Sequence, residues 1–148
     1  MSFAELVTVT MSSAEASRLR VLLVEDDPDL ADVTAEFLRA EGLDVQTVRS
    51  GREALDVAPA FRPQLALCDM NLPDMTGLDV VRGLRSNPST GDTAVVILTA
   101  LQETERAHQG EAEALGVDAF ISKPITIDAI RTLTKKLAAR PVSDHKMS

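Results

Sequence analysis

The sequence has little of several residue types on which common protein classes depend. Its 148 residues include one cysteine, Cys68, four phenylalanines, no tryptophan and no tyrosine. A single cysteine excludes a disulfide framework and a cysteine-rich zinc site within this sequence. No apolar run approaches the ~20 residues of a transmembrane helix, and no basic and apolar secretory signal stands at the N-terminus. We therefore expect a cytoplasmic protein with no membrane partner.

Basic residues are scarce relative to acidic ones. Asp and Glu number 23 and Lys and Arg 15, which gives a formal net charge of −8. Proteins bind a phosphate backbone largely by neutralising it with Lys and Arg, and they stack single-stranded bases on aromatic side chains. Because this sequence is poor in both, we expect no direct nucleic-acid partner.

The length fits one domain with short extensions. Residues 1–17 are rich in Ser, Thr and Ala and contain no Lys or Arg, and residues 141–148 are polar. We expect residues 1–17 to be a flexible N-terminal extension, residues 18–140 to form one compact domain and residues 141–148 to be a C-terminal tail.

Within residues 18–140, short apolar runs alternate five times with helix-period segments. The predicted strands are residues 20–24, 44–48, 65–68, 94–98 and 119–122. Three of these runs are uniformly apolar, which is typical of a parallel sheet covered by helices on both faces. Five βα units with right-handed crossovers predict a doubly wound α/β fold with five strands and five helices.

The first predicted helix has clear signals at both ends. Asp27 is a candidate N-cap with Pro28 at the first helical position, and Gly42 marks the C-terminal end. Its predicted inward face consists of Leu30, Val33, Phe37 and Leu38.

Breaker residues predict where other helices end. Pro59 and Pro63 are expected to close the second helix, and Gly116 to end a polar fourth helix that spans residues 103–115. The last helix is expected over residues 126–139. Its predicted inward side chains are Ile127, Ile130, Leu133 and Leu137.

Acidic, hydroxyl and lysine side chains stand at the carboxyl ends of four of the predicted strands. These are Glu25, Asp26 and Asp27 after the first strand, Asp69 after the third, Thr99 after the fourth and Lys123 after the fifth. Ligands of doubly wound sheets bind at this edge. Converging carboxylates repel one another unless a hard cation such as Mg²⁺ relieves the charge. A carboxylate can also accept a phosphoryl group, with a lysine and a hydroxyl balancing the phosphoryl oxygens.

Four segments together resemble the receiver domain of two-component response regulators. They are residues 24–28 (VEDDP), 69–77 (DMNLPDMTG), 98–100 (LTA) and 123–124 (KP). The resemblance covers residues 18–139 and implies the flavodoxin-like or CheY-like strand order 2-1-3-4-5. It also implies a signalling module and not an enzyme, since such a domain catalyses only its own phosphorylation and dephosphorylation.

The resemblance implies a role for each residue at the strand ends. Asp69 is implied as the phosphoacceptor, and Thr99 and Lys123 as the residues that contact the phosphoryl group. The implied Mg²⁺ ligands are the carboxylates of Glu25, Asp26 and Asp69 and the backbone carbonyl of Asn71.

The resemblance also implies a conformational switch and partners. Thr99 and Phe120 are implied as the switch residues, and the Lys123–Pro124 peptide as cis. The implied phosphodonor is a sensor histidine kinase or a phosphotransfer protein, and the implied output is a protein bound at the face made by the fourth helix, fifth strand and fifth helix. Because only a short tail follows Arg140, we expect a single-domain response regulator.

Three alternatives stay open on the sequence. A phosphatase that uses an aspartyl phosphate on a similar fold needs a second Asp two residues after the nucleophile, where this sequence has Asn71. A nucleotide or flavin carrier needs a Gly-rich loop after the first strand, where this sequence has acidic residues. A degenerate receiver that acts as a constitutive scaffold would not need the complete set of acidic residues, Thr99 and Lys123.

Other chemically suggestive residues have plainer interpretations. We interpret Cys68, on an apolar strand, as a buried and inert side chain. His108 and His145 lie in polar segments without partners at metal-ligand spacing, so we expect both at the surface.

Overall fold

The computed structural model describes residues 18–100 and 109–139, which are built around a five-stranded sheet. The strands are β1 (Arg20–Val24), β2 (Asp44–Val48), β3 (Leu65–Asp69), β4 (Ala94–Thr99) and β5 (Ala119–Ser122). All neighbours pair in parallel, in the order β2-β1-β3-β4-β5. The predicted fold class and strand order are confirmed.

Five helices flank the sheet. They are α1 (Pro28–Ala40), α2 (Gly51–Phe61), α3 (Gly77–Ser86), α4, described over residues 109–114, and α5 (Ile127–Ala139). The fourth helix ends as predicted, before Gly116 with its φ of 72°; its predicted start lies outside the described residues. None of the helices in the described parts of the chain is long and apolar enough to cross a membrane.

Apolar side chains fill both faces of the sheet. On the face covered by α2 and α3, the central strands bury Leu22, Val24, Ala66, Cys68, Val95 and Ile97. On the face covered by α1 and α5, they bury Val21, Leu23, Leu65, Leu67, Val96 and Leu98. Successive side chains of a strand point to opposite faces, so burial on both faces explains why these strands are uniformly apolar.

The predicted inward face of α1 is partly wrong. Leu38 is buried, but Val33 and Phe37 are 45% and 38% exposed. The buried face instead consists of Ala31, Thr34, Ala35 and Leu38. Three of these four side chains are small, and the face they form with Leu38 is rotated away from Val33 and Phe37.

Two other helix predictions need correction. Pro59 lies inside α2 and does not close it; the helix continues to Phe61 and ends at Arg62, whose φ of 51° is left-handed. Pro59 has no N–H group to donate to the Leu55 carbonyl, so α2 lacks one intrahelical hydrogen bond, and the helix ends two residues later. Ile127, in the first turn of α5, is 41% exposed, while Ile130 is buried.

The third and fourth strands are each one residue longer than predicted. Asp69 pairs with Leu98, and Thr99 pairs with Ser122. The two polar residues are therefore the last residues of buried strands, and ladder pairing fixes the position of each at the carboxyl edge of the sheet.

Candidate functional site

The structure brings the predicted acidic residues together at one point of this edge. One carboxylate oxygen from each of Glu25, Asp26 and Asp69 lies within 4.8 Å of the other two. Glu25 and Asp69 are buried, whereas Asp26 is exposed. β1 and β3 are hydrogen-bonded neighbours, so the residues at their ends share one crevice.

Lys123 supplies the cationic group at this site. Its Nζ donates a hydrogen bond to Asp69 Oδ2 at 2.8 Å and lies 2.9 Å from Glu25 Oε1. The Lys123–Pro124 peptide is cis, as expected, and the Lys123 N–H donates to the carbonyl of Thr99 at 2.9 Å. Although partial burial acts to lower the pKa of Lys123, its hydrogen bond to Asp69 and its contact with Glu25 raise that pKa overall.

Glu25 is a buried carboxylate with incomplete hydrogen bonding. Its Oε2 accepts a hydrogen bond from the Asp27 N–H at 3.2 Å. Its Oε1 lies 2.9 Å from the Lys123 ammonium as an ion pair, and this buried oxygen has no hydrogen-bond partner among the described residues. Burial raises the pKa of Glu25, and the negative charge of Asp69 adds to that increase.

The donor set fits a magnesium ion. Three carboxylates face one ammonium group, which leaves an excess of negative charge, and the buried Glu25 Oε1 lacks a hydrogen bond. Mg²⁺ takes oxygen ligands and is bound through one or two carboxylates with water in the remaining positions. Glu25, Asp26 and Asp69 are therefore the residues that could hold it.

The loop after β3 is tightly closed beside Asp69. Gly77 N–H donates to the Met70 carbonyl at 2.7 Å, and Asn71 and Thr76 form an antiparallel bridge across the loop. The Asn71 N–H donates to Asp69 Oδ1 at 3.3 Å. A Cβ atom on Gly77 would lie 2.7 Å from the Asp69 carbonyl oxygen, so this loop geometry requires glycine there.

Sequence reasoning missed Asp74 at the tip of this loop. Its carboxylate accepts hydrogen bonds from the Gly51 and Arg52 N–H groups at the start of α2. These two backbone hydrogen bonds lower the pKa of Asp74. No spacing signal predicts a contact between residues so distant in sequence; only an acidic residue in a Pro-containing turn was visible.

The predicted switch residues lie on neighbouring strands. Thr99 is buried at the end of β4, and Phe120 in β5 is partly buried against the core under α2 and α3. Phe120 pairs with Ile97 of β4. The role of either residue as a switch stays a prediction.

The plainer interpretations are confirmed where the structure describes them. The Asp27 carboxylate accepts hydrogen bonds from the Asp29 and Leu30 N–H groups, so it caps α1. Cys68 is buried, and this burial raises the pKa of its thiol. His108 and His145 lie outside the described residues.

Curated relatives are similar in sequence to this domain. The chain is 37% identical over 110 residues to the DNA-binding response regulator MtrA of Mycolicibacterium smegmatis, a match that covers 74% of this chain and 46% of MtrA. It is 35% identical over 131 residues to the probable transcriptional regulatory protein TcrX of Mycobacterium tuberculosis, covering 88% of this chain and 54% of TcrX. The chain thus spans about half the length of these relatives.

These relatives correct one sequence-based expectation. We expected no direct nucleic-acid partner from the charge of −8 and the scarcity of aromatic residues. That exclusion is wrong, because MtrA is a DNA-binding response regulator. The net charge was summed over a chain that spans about half the length of MtrA. It therefore does not exclude a DNA-binding role.

Structural comparison and the family match agree on the identity of the domain. The chemotaxis response regulator CheY4 of Vibrio cholerae superimposes with a TM-score of 0.72 at 27% identity, covering 81% of this chain and 98% of that structure. The family model of the response regulator receiver domain matches residues 21–135. This chain therefore belongs to the response regulator receiver family of two-component signalling proteins.

Proposed function

We propose that the domain, taken as residues 18–140, is a phosphorylation switch in which Asp69 is the phosphoacceptor. The observation that carries the proposal is the Asp69 carboxylate, buried at the end of β3, 2.8 Å from the Lys123 ammonium and beside two further carboxylates. One Asp69 oxygen attacks the phosphorus of a phosphohistidine on a sensor kinase or phosphotransfer protein. The phosphorus–nitrogen bond breaks, the imidazole leaves and takes up a proton, and an aspartyl phosphate forms.

Glu25, Asp26 and Asp69, with the backbone carbonyl of Asn71, are the proposed Mg²⁺ ligands. When bound, Mg²⁺ supplies positive charge to the oxygens of the transferring phosphoryl group. Lys123 compensates a further oxygen through its ammonium group, and the Thr99 hydroxyl donates a hydrogen bond to a third. The site thereby balances charge that develops on all sides of the phosphoryl group.

The proposed output follows from contacts that Thr99 gains only in the phosphorylated state. A hydrogen bond from Thr99 to the phosphoryl group biases a pre-existing equilibrium, and Phe120 packs inward beside β4. This repacking changes the surface formed by α4, β5 and α5. Lys135 and Arg131 are exposed there, and Arg131 is paired with Glu41, the C-cap of α1. Glu103 and Arg106 lie outside the described residues.

Intact-mass measurement tests the phosphoacceptor. Incubation with Mg²⁺ and acetyl phosphate should add the mass of one phosphoryl group to the wild-type chain and none to Asp69→Asn. Asp56→Asn is the matched control, because Asp56 is an exposed carboxylate on α2, and it should react like the wild type. A chain that never gains the mass would be a constitutive scaffold, and equal labelling of Asp69→Asn would refute the assignment.

Nuclear magnetic resonance tests the switch. Adding beryllofluoride with Mg²⁺ should shift the amide signals of Phe120 as well as those of Glu25 and Asp69. Thr99→Ala should reduce the shift at Phe120 while Asp69 stays able to react. Shifts that stay confined to the acidic cluster would contradict the proposed switch.

A further inference from the structure

We infer that Asp74 is a positioning residue that fastens the loop after β3 to the first turn of α2 and so holds the Asn71 carbonyl at the metal site. The inference rests on the proposed function, in which that carbonyl is a Mg²⁺ ligand. Asp74 itself is exposed and does not belong to the carboxylate cluster, so it acts through the loop.

The Asp74 carboxylate caps a helix from outside its own segment. Oδ1 accepts from the Gly51 N–H at 2.9 Å and Oδ2 from the Arg52 N–H at 2.8 Å. The hydroxyl of the local cap, Ser50, accepts from the Glu53 N–H. Capping side chains usually come from the residue just before the helix; here two N–H groups are satisfied by a residue 22 and 23 positions away, which ties two separate elements together.

Close packing reinforces the same attachment. A Cβ atom on Gly51 would lie 2.3 Å from Met75 Cγ, so Met75 occupies the space that a side chain at position 51 would fill. Met75 follows Asp74 directly and packs against the core under α2 and α3. The tip of the loop is therefore held on α2 by one charged and one apolar contact.

The loop transmits this attachment to the site because it is closed internally. Leu72 N–H donates to the Met75 carbonyl at 3.2 Å, and Asn71 and Thr76 pair across the loop. With these cross-links, a shift of the tip moves Asn71 too. The end of β2 supports the other side of the site, since the Val48 carbonyl accepts from the Glu25 N–H at 3.0 Å. The end of β2 and the first turn of α2 thus contact both acidic loops, and neither contributes a proposed ligand.

A Mg²⁺ titration of the full chain, followed by nuclear magnetic resonance, tests the inference. Asp74→Asn replaces one acceptor oxygen by an NH₂ group that faces a helix N–H, and we expect Mg²⁺ to bind at least about threefold more weakly. Phosphorylation by acetyl phosphate at low Mg²⁺ should slow by a similar factor and recover at saturating Mg²⁺. Asp74→Ser serves as a second variant, and Asp74→Glu, which keeps two acceptor oxygens, should restore part of the affinity.

Two controls separate positioning from helix stability and charge. Ser50→Ala removes the local cap of α2 and should lower the urea midpoint without changing the Mg²⁺ affinity. Asp56→Asn removes a nearby charge on the same helix and should leave both unchanged. If the wild type binds Mg²⁺ and Asp74→Asn binds it with equal affinity, the inference is wrong and the proposed function is unaffected. The inference is also wrong if Ser50→Ala weakens Mg²⁺ binding as much as Asp74→Asn does. A wild type that binds no Mg²⁺ would refute the proposed function and the inference with it.

Discussion

Glu25→Gln should stabilise the protein in the absence of Mg²⁺. Glu25 is 1% exposed and shares the crevice with Asp26 and Asp69, whose oxygens lie within 4.8 Å. At that separation, each pair of unit charges repels by about 3.5 kcal/mol at an effective dielectric constant of ~20. The Lys123 ammonium lies 2.9 Å from Glu25, and at the same dielectric constant the two charges attract by about 6 kcal/mol.

Two repulsions therefore exceed one attraction by about 1 kcal/mol. The cost of burying a charge whose Oε1 has no hydrogen bond from the described residues adds to this excess. Burial and the negative charge of Asp69 raise the pKa of Glu25, so the stability contributed by its protonated form is lost as the pH rises through that pKa. We expect Glu25→Gln to raise the free energy of unfolding by about 1 to 2 kcal/mol in EDTA.

Urea unfolding followed by far-ultraviolet circular dichroism measures this effect, since the chain has no tryptophan. A saturating ligand at one hundred times its Kd stabilises a protein by about 2.7 kcal/mol, and the wild type should approach this gain in excess Mg²⁺ while Glu25→Gln gains less. Glu36→Gln, which removes the same charge from an exposed position on α1, should change neither value. A Glu25→Gln protein less stable than the wild type in EDTA would refute the electrostatic reasoning.

Three further predictions concern the fold around the site. Ile97→Ala, at a fully buried position of β4, should cost about 2–5 kcal/mol in urea unfolding; a loss below 1 kcal/mol would contradict the packing described. The Thr76 N–H lowers the pKa of Asp79. The stability advantage of the wild type over Asp79→Asn should therefore be complete well above 3.8, the usual pKa, and should decrease as the pH falls through the lower pKa of the folded state, which unfolding curves at pH 7 and pH 3 would show. Cys68 should react with a thiol reagent only after unfolding, because it is buried and its thiol pKa is raised; rapid reaction of the native protein would contradict this.

The sequence was sufficient for the architecture of the sheet. Uniformly apolar strands, Asp27 before Pro28 and Gly116 after α4 are local signals, and the structure agrees with each. The packing of the helices was harder to predict. Val33 and Phe37 of α1 are apolar but exposed, because the sheet contacts the face that includes Ala31 and Leu38. Which face a helix buries depends on the surface opposite, and periodicity does not report that surface.

The site could be predicted to the level of its members. Glu25 and Asp26 follow β1, Asp69 ends β3 and Lys123 follows β5. The edge shared by parallel strands brings these four residues together. Their individual contacts could not be predicted, since the position of the Lys123 ammonium between two carboxylates depends on rotamers. The attachment of Asp74 to α2 was also beyond sequence reasoning, because it joins a loop and a helix that are related only by the packing of the fold.

Chemical mapping of the modified residue determines whether Asp69 carries the phosphoryl group. The full chain is incubated with Mg²⁺ and acetyl phosphate, treated with borohydride, which reduces an aspartyl phosphate to homoserine, and digested for peptide mass spectrometry. Homoserine should appear at residue 69 and should be absent when Mg²⁺ is removed with EDTA. Homoserine at another carboxylate, or at none while the phosphodonor is intact, would contradict the account.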